Sequence, residues 1–350
     1  MSASSRDPVA DLRRIAFLLE RAHEATYRVR AFRNAAAAVA TLPADEAKAR
    51  AEAGTLTELP GVGEKTAGSV AESLAGEVPV YLQRLEAEVR GPVVSGGESI
   101  RAALRGDCHT HSDWSDGGSP IDEMARAARD LGHDYMVLTD HSPRLTVANG
   151  LSAPRLRQQL DVVKAVNEEL APFRILTGIE VDILDDGALD QEPDLLSELD
   201  LVVASVHSKL RMPESEMTPR MVQAIANPHV DVLGHCTGRN VTQQGRRGRL
   251  RPESEFDAEL IFAACAQFGV AVEINCRPER LDPPKRLLRM AVEAGCLLAI
   301  DTDAHAPGQL DWQPYGCARA EECGVSIEQI VNTWRSDTLL LWTTNHTFRP

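Results

Sequence analysis

The feature that most constrains the fold is an alternation of short apolar runs and helical segments that begins near Arg105. Segments such as 119–131 and 155–170 have helical spacing, and they separate runs that have the length of strands. There are seven such runs, at residues 107–111, 135–139, 175–181, 201–206, 230–234, 270–275 and 296–301. Strand–helix alternation predicts a parallel sheet, and seven units predict a distorted α/β barrel, a (β/α)7 relative of the TIM type. Chemistry in such barrels lies at the carboxyl ends of the strands.

Histidine and acidic residues stand at almost every predicted strand end. On the first strand, the two-residue period points the imidazoles of His109 and His111 to the same side. Imidazole and carboxylate groups are good ligands for borderline metal ions. A single strand-end histidine is more often an ordinary polar residue, but this repetition on one face favours a metal site. The remaining candidates are Asp116, His141, Glu180, His207, His235, Asp303 and His305.

Composition bounds the class of protein. The chain has 350 residues and a formal net charge of −15, and nearly all of that charge falls beyond residue 92. Such a charge argues against nonspecific nucleic-acid binding by the whole chain. The seven cysteines form no C-x-x-C pair, which favours reduced thiols, and no apolar stretch has the length of a membrane span. We therefore expect a cytoplasmic protein without a membrane partner, and we favour a monomer.

A glycine-rich turn marks the N-terminal region. Gly61 and Gly63 carry no side chain that would keep a phosphate away, and the backbone amides at the start of the following helix favour an anion. Lys65 adds a donor, and Val62 is expected to pack into the hairpin. The pattern indicates contact with a DNA backbone. The alternative is a tight turn between two packed helices.

The N-terminal region resembles the small helical domain of family X DNA polymerases, which holds the end of a gapped or nicked strand. The resemblance rests on the glycine turn, which is similar to a helix-hairpin-helix, and on the segment 27–36, whose sequence is YRVRAFRNAA. It implies DNA contacts by Arg28, Arg30, Arg33, Gly61, Val62, Gly63 and Lys65. The predicted boundaries are a disordered segment 1–8, the helix-hairpin-helix domain 9–90, a linker 91–104 and the barrel domain 105–345. No room remains for a polymerase palm, so polymerase activity is not expected.

The barrel region resembles the polymerase and histidinol phosphatase (PHP) superfamily, and in particular the C-terminal domain of bacterial family X polymerases. The resemblance covers about residues 105–325 and rests on the ordered pattern H-x-H-x4-D, T-D-H, G-x-E, S-V-H, G-H and D-x-D-x-H. It implies three divalent ions per chain, Mn²⁺, Zn²⁺ or Fe²⁺. The implied ligands are His109, His111, Glu180 and Asp303 for the first ion, Glu180, His207 and His235 for the second, and Asp116, His141 and His305 for the third.

The same resemblance implies catalytic roles. Glu180 would bridge two cations, and hydroxide held by the cations would attack phosphorus without a covalent nucleophile on the protein. The implied catalytic set is Glu180, Asp303, His235 and Arg239. Candidates to bind the phosphate are Lys209, Arg239, Arg277 and Arg280. Candidates to orient ligand imidazoles are Asp140 and Asp301. The alternative for each basic residue is a solvated surface charge.

A basic loop follows the fifth predicted strand and contains Arg246 and Arg247. On an otherwise acidic domain, such a loop indicates a track for a nucleic-acid backbone. The alternative is a flexible loop with internal salt bridges.

Three functions are compatible with these patterns. The first is a metal-dependent phosphoesterase that acts on the backbone, ends or gaps of DNA, as a 3′-5′ exonuclease or a 3′-end processing enzyme in DNA repair. The second is a small-molecule phosphomonoesterase of the histidinol phosphatase type, which would have no use for the N-terminal domain. The third is a DNA-binding adaptor whose barrel is only structural, and the complete ligand pattern argues against it. We expect the first.

Overall fold

A computed structural model describes residues 6–89, 91–242 and 250–346. The chain forms two compact units that divide between Val93 and Val94. The first unit is helical, and the second is a barrel of parallel strands surrounded by helices. Within the described ranges, no helix combines the length and the apolarity that crossing a membrane requires.

The N-terminal unit packs its α-helices around one apolar core. Their bounds are α1 Pro8–Arg21, α2 Thr26–Ala40, α3 Ala44–Ala53, α4 Glu64–Leu74 and α5 Val80–Glu88. On α1 the apolar residues recur at helical spacing, and Leu12, Ile15 and Leu19 are therefore fully buried. The unit has the helical class that the sequence predicts.

The first helix begins one residue before the predicted domain boundary. The Asp7 side chain accepts a hydrogen bond from the Val9 N–H at 2.8 Å and caps α1, and Pro8 stands in the first turn, where no backbone donor is needed. Arg6 pairs with Asp11 at 2.6 Å. Residues 6–8 therefore belong to the folded unit, in contrast to the disordered segment 1–8 that we predicted.

Seven strands run parallel, and their order in the sheet is their order in the sequence. Their bounds are β1 Gly106–Thr110, β2 Tyr135–Leu138, β3 Arg174–Asp182, β4 Leu201–Ser205, β5 Val232–Leu233, β6 Ala271–Asn275 and β7 Leu298–Asp301. A bridge between Thr110 and Ala304 brings the two ends of the sheet together, so the barrel is nearly closed. The predicted (β/α)7 class is confirmed, although the predicted strand 230–234 is shortened to the two residues of β5.

One α-helix follows each strand, α6 precedes β1, and α14 comes last among the described residues. The bounds are α6 Glu98–Ala103, α7 Ile121–Asp130, α8 Ala153–Leu170, α9 Pro193–Leu196, α10 Glu214–Ile225, α11 Ala258–Phe268, α12 Lys285–Glu293, α13 Gln313–Glu322 and α14 Ser336–Thr344. The helices cover the outer face of the barrel, as the crossovers between parallel strands require.

An apolar cluster fills the barrel below the strand ends. On β3, Leu176 shares a face with Glu180, because residues four apart on a strand point to the same side. Leu176 packs in one cluster with Val203, Val232 and Trp342, all of them buried. A packed interior leaves the carboxyl ends of the strands as the place where polar side chains gather.

Candidate metal centre

The structure gathers the predicted ligand side chains at the carboxyl ends of the strands, with Glu180 in the middle. Glu180 Oε1 lies 2.9 Å from His235 Nε2 and 3.2 Å from His207 Nε2. Glu180 Oε2 lies 2.8 Å from His141 Nδ1 and 3.4 Å from His109 Nε2. One buried carboxylate on β3 thus faces imidazoles that follow, or lie on, other strands of the barrel.

The remaining candidates join the same cluster on its other side. Asp303 Oδ1 lies 3.4 Å from His111 Nε2. Asp116 Oδ1 lies 3.2 Å from His305 Nε2 and 3.4 Å from His141 Nε2. The rings of His111 and His305 have centroids 4.2 Å apart. All the side chains that the sequence pattern selected therefore lie in one connected cluster.

Three groups within this cluster have the geometry to hold an ion. In each group, one ligand atom per residue lies within 4.8 Å of the others. The groups are His111, Asp116, His141 and His305; His109, His111 and Asp303; and His141, Glu180 and His207. His111 and His141 each belong to two groups, whereas the resemblance implied that Glu180 is the shared residue. The assignment of side chains to individual ions therefore stays a prediction.

Many buried polar atoms of the cluster lie close to one another, yet none of those named next makes an aligned hydrogen bond with another described residue. They are Nε2 of His109, both ring nitrogens of His111, Nδ1 of His141, both carboxylate oxygens of Glu180 and Nδ1 of His235. Buried polar atoms nearly always have a partner, and an unpaired one costs about 1–3 kcal/mol. Imidazole nitrogens and carboxylate oxygens in this state fit divalent cations that accept N and O ligands.

The cluster is deepest at the first strand and most open beside the loop that follows it. The side chains of His109 and His111 have no exposed surface, whereas that of His305 is 20% exposed and that of Asp116 is 36% exposed. Asp303 has a left-handed backbone with φ of +51°, a conformation that concentrates at functional sites in residues other than glycine. A ligand would reach the cluster from the side of Asp116 and His305.

The charges of the cluster shift the pKa values of its members. Burial by itself would raise the pKa of Glu180, but the imidazoles, led by His207, hold it well below its usual range. Burial likewise opposes ionisation of Asp303, and Arg277 brings the pKa of that carboxyl well below its usual range. Burial and the neighbouring imidazoles lower the pKa of His111. The carboxylates are thus ionised and His111 is neutral, which are the forms that bind cations.

Two acidic residues to which the sequence analysis gave no role contact imidazoles of the cluster. Glu273 Oε1 on β6 lies 2.6 Å from His109 Nδ1, and Asp182 Oδ1 on β3 lies 2.6 Å from His207 Nδ1. Such contacts fix the orientation of an imidazole ring. Both residues left a signal in the sequence: Asp182 follows Glu180 at the two-residue period, and Glu273 is the one charged residue of the predicted strand 270–275.

Asp140 and Asp301 act on other groups, which corrects our expectation that they orient imidazoles. Asp140 accepts a hydrogen bond from the Ser112 N–H at 2.8 Å. Asp301 accepts hydrogen bonds from the Cys108 N–H and from Asn332 Nδ2, both at 2.8 Å. These carboxylates hold the loop after β1 and the seam between β1 and β7, because buried backbone donors there need an acceptor.

Two of the basic side chains that were predicted to bind phosphate, Arg277 and Arg280, lie at the cluster. Arg277 Nη1 lies 2.9 Å from His305 Nδ1 and 3.8 Å from Asp303 Oδ1. Arg280 Nε lies 3.4 Å from Asp303 Oδ2. Both side chains are partly exposed, Arg277 to 16% and Arg280 to 22%, so a ligand at the mouth could contact them.

The other two basic side chains that were predicted to bind phosphate, Arg239 and Lys209, make different contacts. Arg239 Nε donates to the Arg280 carbonyl at 3.0 Å, and Arg239 Nη2 donates to the Leu281 carbonyl. Lys209 pairs with Asp185 at 2.6 Å and is 62% exposed. The Arg239 guanidinium therefore donates to backbone carbonyls of the loop after β6, and its predicted contact with phosphate stays a prediction.

The glycine turn of the N-terminal unit has an open surface. Gly61 has a φ of +84°, which favours glycine, and a Cβ added at Gly63 would meet nothing within 4 Å. Val62 is buried, and Lys65 is exposed in the first turn of α4. The turn thus presents the glycines and Lys65 outward, and contact with DNA stays a prediction.

Of the three arginines in the N-terminal unit that were predicted to contact DNA, two form ion pairs inside that unit. Arg33 pairs with Glu20 at 2.6 Å, and both side chains are largely buried. Arg28 pairs with Glu24 at 2.6 Å, while Arg30 is exposed. Arg33 therefore has a structural partner, which corrects the expectation that it contacts DNA. Two further predicted contacts lie outside the described residues: Arg246 and Arg247.

Comparisons with family models and with a curated relative bear on both units. Residues 5–78 match the model of a helix-hairpin-helix domain, and residues 107–276 match the model of the PHP domain. The DNA polymerase/3′-5′ exonuclease PolX of Bacillus subtilis is 42% identical over 229 residues. That match covers 65% of this chain and 39% of PolX, so the chain spans about two fifths of the length of that relative.

Phosphatases and probable phosphatases are also among the similar proteins. A probable phosphatase of a Thermoanaerobacter species is 28% identical over 238 residues, which cover 65% of this chain and 89% of the phosphatase. The crystal structure of histidinol phosphate phosphatase from Lactococcus lactis, complexed with zinc, L-histidinol and phosphate, is 19% identical with a TM-score of 0.45. It covers 64% of this chain and 95% of that phosphatase chain.

Proposed function

The chain joins a helix-hairpin-helix domain to a PHP domain, and from this organisation we propose that it is a metal-dependent phosphoesterase that acts on DNA. The finer proposal is a 3′-5′ exonuclease or a 3′-end processing enzyme. The observation that carries the proposal is the cluster of buried imidazoles and carboxylates around Glu180, many of whose polar atoms have no hydrogen-bond partner among the described residues.

The enzyme class is a hydrolase that acts on phosphate esters. We propose three divalent cations, Mn²⁺, Zn²⁺ or Fe²⁺, held by His109, His111, Asp116, His141, Glu180, His207, His235, Asp303 and His305. Such cations supply an activated water and neutralise phosphoryl charge. The protein holds the imidazoles in place through Glu273 and Asp182, and it provides ionised carboxylates at Glu180 and Asp303.

Arg277 and Arg280 are the residues that we propose to bind the phosphate of the substrate. Both guanidinium groups lie near Asp303, and Arg277 also contacts His305, one of the more exposed members of the cluster. An arginine beside the reacting phosphate donates charge-assisted hydrogen bonds to its oxygens. Charge on this side of the cluster supports a phosphate ester as the ligand.

Two observations support DNA as the substrate. The hairpin of the N-terminal unit exposes a glycine turn and Lys65, the groups that a phosphate backbone approaches most easily. The relative with 42% identity is named a 3′-5′ exonuclease as well as a polymerase. A DNA end held by the hairpin domain would be hydrolysed by the barrel domain.

The test is a comparison of substrates with Mn²⁺-loaded protein. We expect a 5′-labelled DNA strand to be shortened stepwise from its 3′ end, and a strand with a 3′-phosphate to lose that phosphate if the enzyme processes ends. Histidinol phosphate should release no phosphate. Release from histidinol phosphate while both DNA strands stay intact would overturn the proposal.

A small-molecule phosphomonoesterase is the second candidate function. It is favoured by the probable phosphatase, of which 89% is covered by the match. The helix-hairpin-helix domain argues against it, since a small substrate needs no DNA-binding module. The same comparison of substrates separates the two functions.

A further inference from the structure

We propose that Glu273 is a positioning residue that keeps the proton of His109 on Nδ1, so that Nε2 faces the centre as an electron-pair donor. The inference rests on the proposed metal site, and it concerns how the protein prepares that site. Glu273 lies on β6. In the described barrel, each of the other strands, or the loop that follows it, supplies at least one predicted metal ligand.

The first step of the argument is the contact itself. Glu273 Oε1 lies 2.6 Å from His109 Nδ1, and both side chains are fully buried. In this contact the carboxylate oxygen accepts and Nδ1 donates. In neutral His109, Nε2 is then the nitrogen with the lone pair, and it has no hydrogen-bond partner among the described residues.

The second step is what the other carboxylate oxygen does. Glu273 Oε2 accepts hydrogen bonds from the His235 N–H at 2.5 Å and from Asn275 Nδ2 at 3.2 Å. Asn275 Nδ2 also lies 3.1 Å from Asp303 Oδ2. One carboxylate on β6 thus connects His109 on β1 with the backbone at His235 after β5 and, through Asn275, with Asp303 after β7.

These contacts predict the effect of Glu273→Gln. The position of Oε2 has two donors, so the glutamine would place its carbonyl oxygen there and turn its amide group toward His109 Nδ1. The amide donates, so Nδ1 would become the acceptor, and the proton of neutral His109 would move to Nε2. The atom that faces the centre would then have no lone pair for a cation.

Asp231→Asn is the matched control. Asp231 is also buried, contacts one imidazole, His346 Nε2 at 2.7 Å, and accepts a hydrogen bond from one backbone amide, Val202 N at 2.7 Å. It stands immediately before β5, at the opposite end of the barrel from the cluster. Asp231→Asn therefore removes a carboxylate from a similar buried site, and that site contacts no predicted metal ligand.

The experiment measures Zn²⁺ affinity by competition with a chelator. We expect Glu273→Gln to bind Zn²⁺ about 10- to 100-fold more weakly than the wild type, as is usual when the residue that orients a ligand is lost. Asp231→Asn should keep the wild-type affinity. Equal affinity of Glu273→Gln and the wild type would overturn the role of Glu273 and leave the proposed function intact. A wild-type protein that binds no divalent cation would overturn both the role of Glu273 and the proposed function.

If Glu273→Gln does not fold, a measurement on the wild-type protein tests the proposal instead. Nitrogen-15 NMR of the histidine side chains in Zn²⁺-loaded protein should show His109 protonated at Nδ1 and coordinated through Nε2. Coordination through Nδ1 overturns the proposal.

Discussion

At the residue scale, the defining property of the cluster is that its buried polar atoms face one another. Glu180 is fully buried and lies within 3.4 Å of His109, His141, His207 and His235. In the described part of the chain no lysine or arginine forms an ion pair with Glu180, so imidazoles compensate for its buried negative charge. This is the arrangement of a cation site rather than that of a packed structural core.

Glu180→Gln tests this interpretation. The substitution keeps the size of the side chain and removes its charge, so we expect phosphoesterase activity to fall at least about 100-fold, beyond what loss of an orienting partner costs. The assay is hydrolysis of the labelled DNA strand and of bis(p-nitrophenyl) phosphate. Glu198→Gln, an exposed glutamate paired with Arg157, is the control and should keep its activity. Full activity of Glu180→Gln would mean that the centre is elsewhere.

His133 provides a pH-dependent contribution to stability away from the cluster. Burial lowers its pKa from 6.5 to about 3, and its Nε2 lies 3.0 Å from Gln313 Oε1. The His133 imidazole binds a proton more readily in the unfolded chain than in the folded one. The contribution of His133 to stability is therefore fully present above the pKa of the unfolded state, and it is lost as the pH falls toward the pKa of the folded state. Between pH 7 and pH 5 the loss is about 2 kcal/mol.

The measurement is urea denaturation of wild type and His133→Gln at pH 7 and pH 5, followed by tryptophan fluorescence. Between pH 7 and pH 5, the free energy of unfolding should fall by about 2 kcal/mol less in His133→Gln than in the wild type. The other titrating groups are the same in both proteins, so their contributions cancel. His229→Gln, at a half-buried histidine, is the control and should follow the wild type. An identical pH response of His133→Gln and wild type contradicts the assignment.

At the scale of elements, strand pairing fixes the middle of the cluster. Glu180 still belongs to β3, and this part of the strand pairs with Val203 on one side and bridges to His141 on the other. Backbone pairing on both sides holds this part of the chain more firmly than a loop would, so the central carboxylate has rigid support. The residues that follow the strands, such as Asp116, lie nearer the surface.

The contact of α6 with α13 offers a test of element packing in the barrel unit. Gly97, the residue before α6, has a φ of +73°, and an added Cβ would lie 2.3 Å from the carbonyl carbon of Cys317. Gly132 has a φ of +90° with nothing within 4 Å of such a Cβ. We expect Gly97→Ala to lower the free energy of unfolding by about 1–3 kcal/mol more than Gly132→Ala does, because only the first adds overlap to backbone strain.

Urea denaturation followed by tryptophan fluorescence measures this difference, since all four tryptophans lie in the barrel unit. Equal losses in Gly97→Ala and Gly132→Ala would show that the close approach to Cys317 is absent.

At the scale of the whole molecule, the chain carries two units with different chemistry. The helical unit presents the glycine turn and Lys65, and the barrel unit presents the cluster around Glu180. Each unit has a hydrophobic core of its own. Binding of DNA and hydrolysis of a phosphate ester should therefore respond to different substitutions.

Lys65→Glu tests this division. It should weaken DNA binding and reduce the salt dependence of binding by about one phosphate contact, because Lys65 is the exposed cation of the turn. Hydrolysis of bis(p-nitrophenyl) phosphate should be unchanged. Lys48→Glu makes the same charge change at an exposed position of α3 and is the control for DNA binding. Parallel loss of both activities in Lys65→Glu would contradict separate roles.

The sequence pointed to the barrel and to the cluster members, but it assigned several partners wrongly. Strand periodicity and strand ends are local properties, and His109 and His111 could be placed on one face without any tertiary information. Asp140 was misjudged because its position beside a motif residue in the chain says nothing about the direction of its side chain. In the structure its carboxylate accepts hydrogen bonds from the Ser112 N–H and from Gln159 Nε2 instead.

The sequence by itself determined the class of fold and the set of polar residues that gather at the strand ends, since both follow from periodicity along a short stretch of chain. Only the tertiary structure decided which ring nitrogen of His109 and of His207 faces Glu180 and which contacts a second carboxylate. For His109 that choice depends on Glu273, 164 residues further along the chain, and a hydrogen bond between strands so distant in sequence leaves no local pattern from which to predict it.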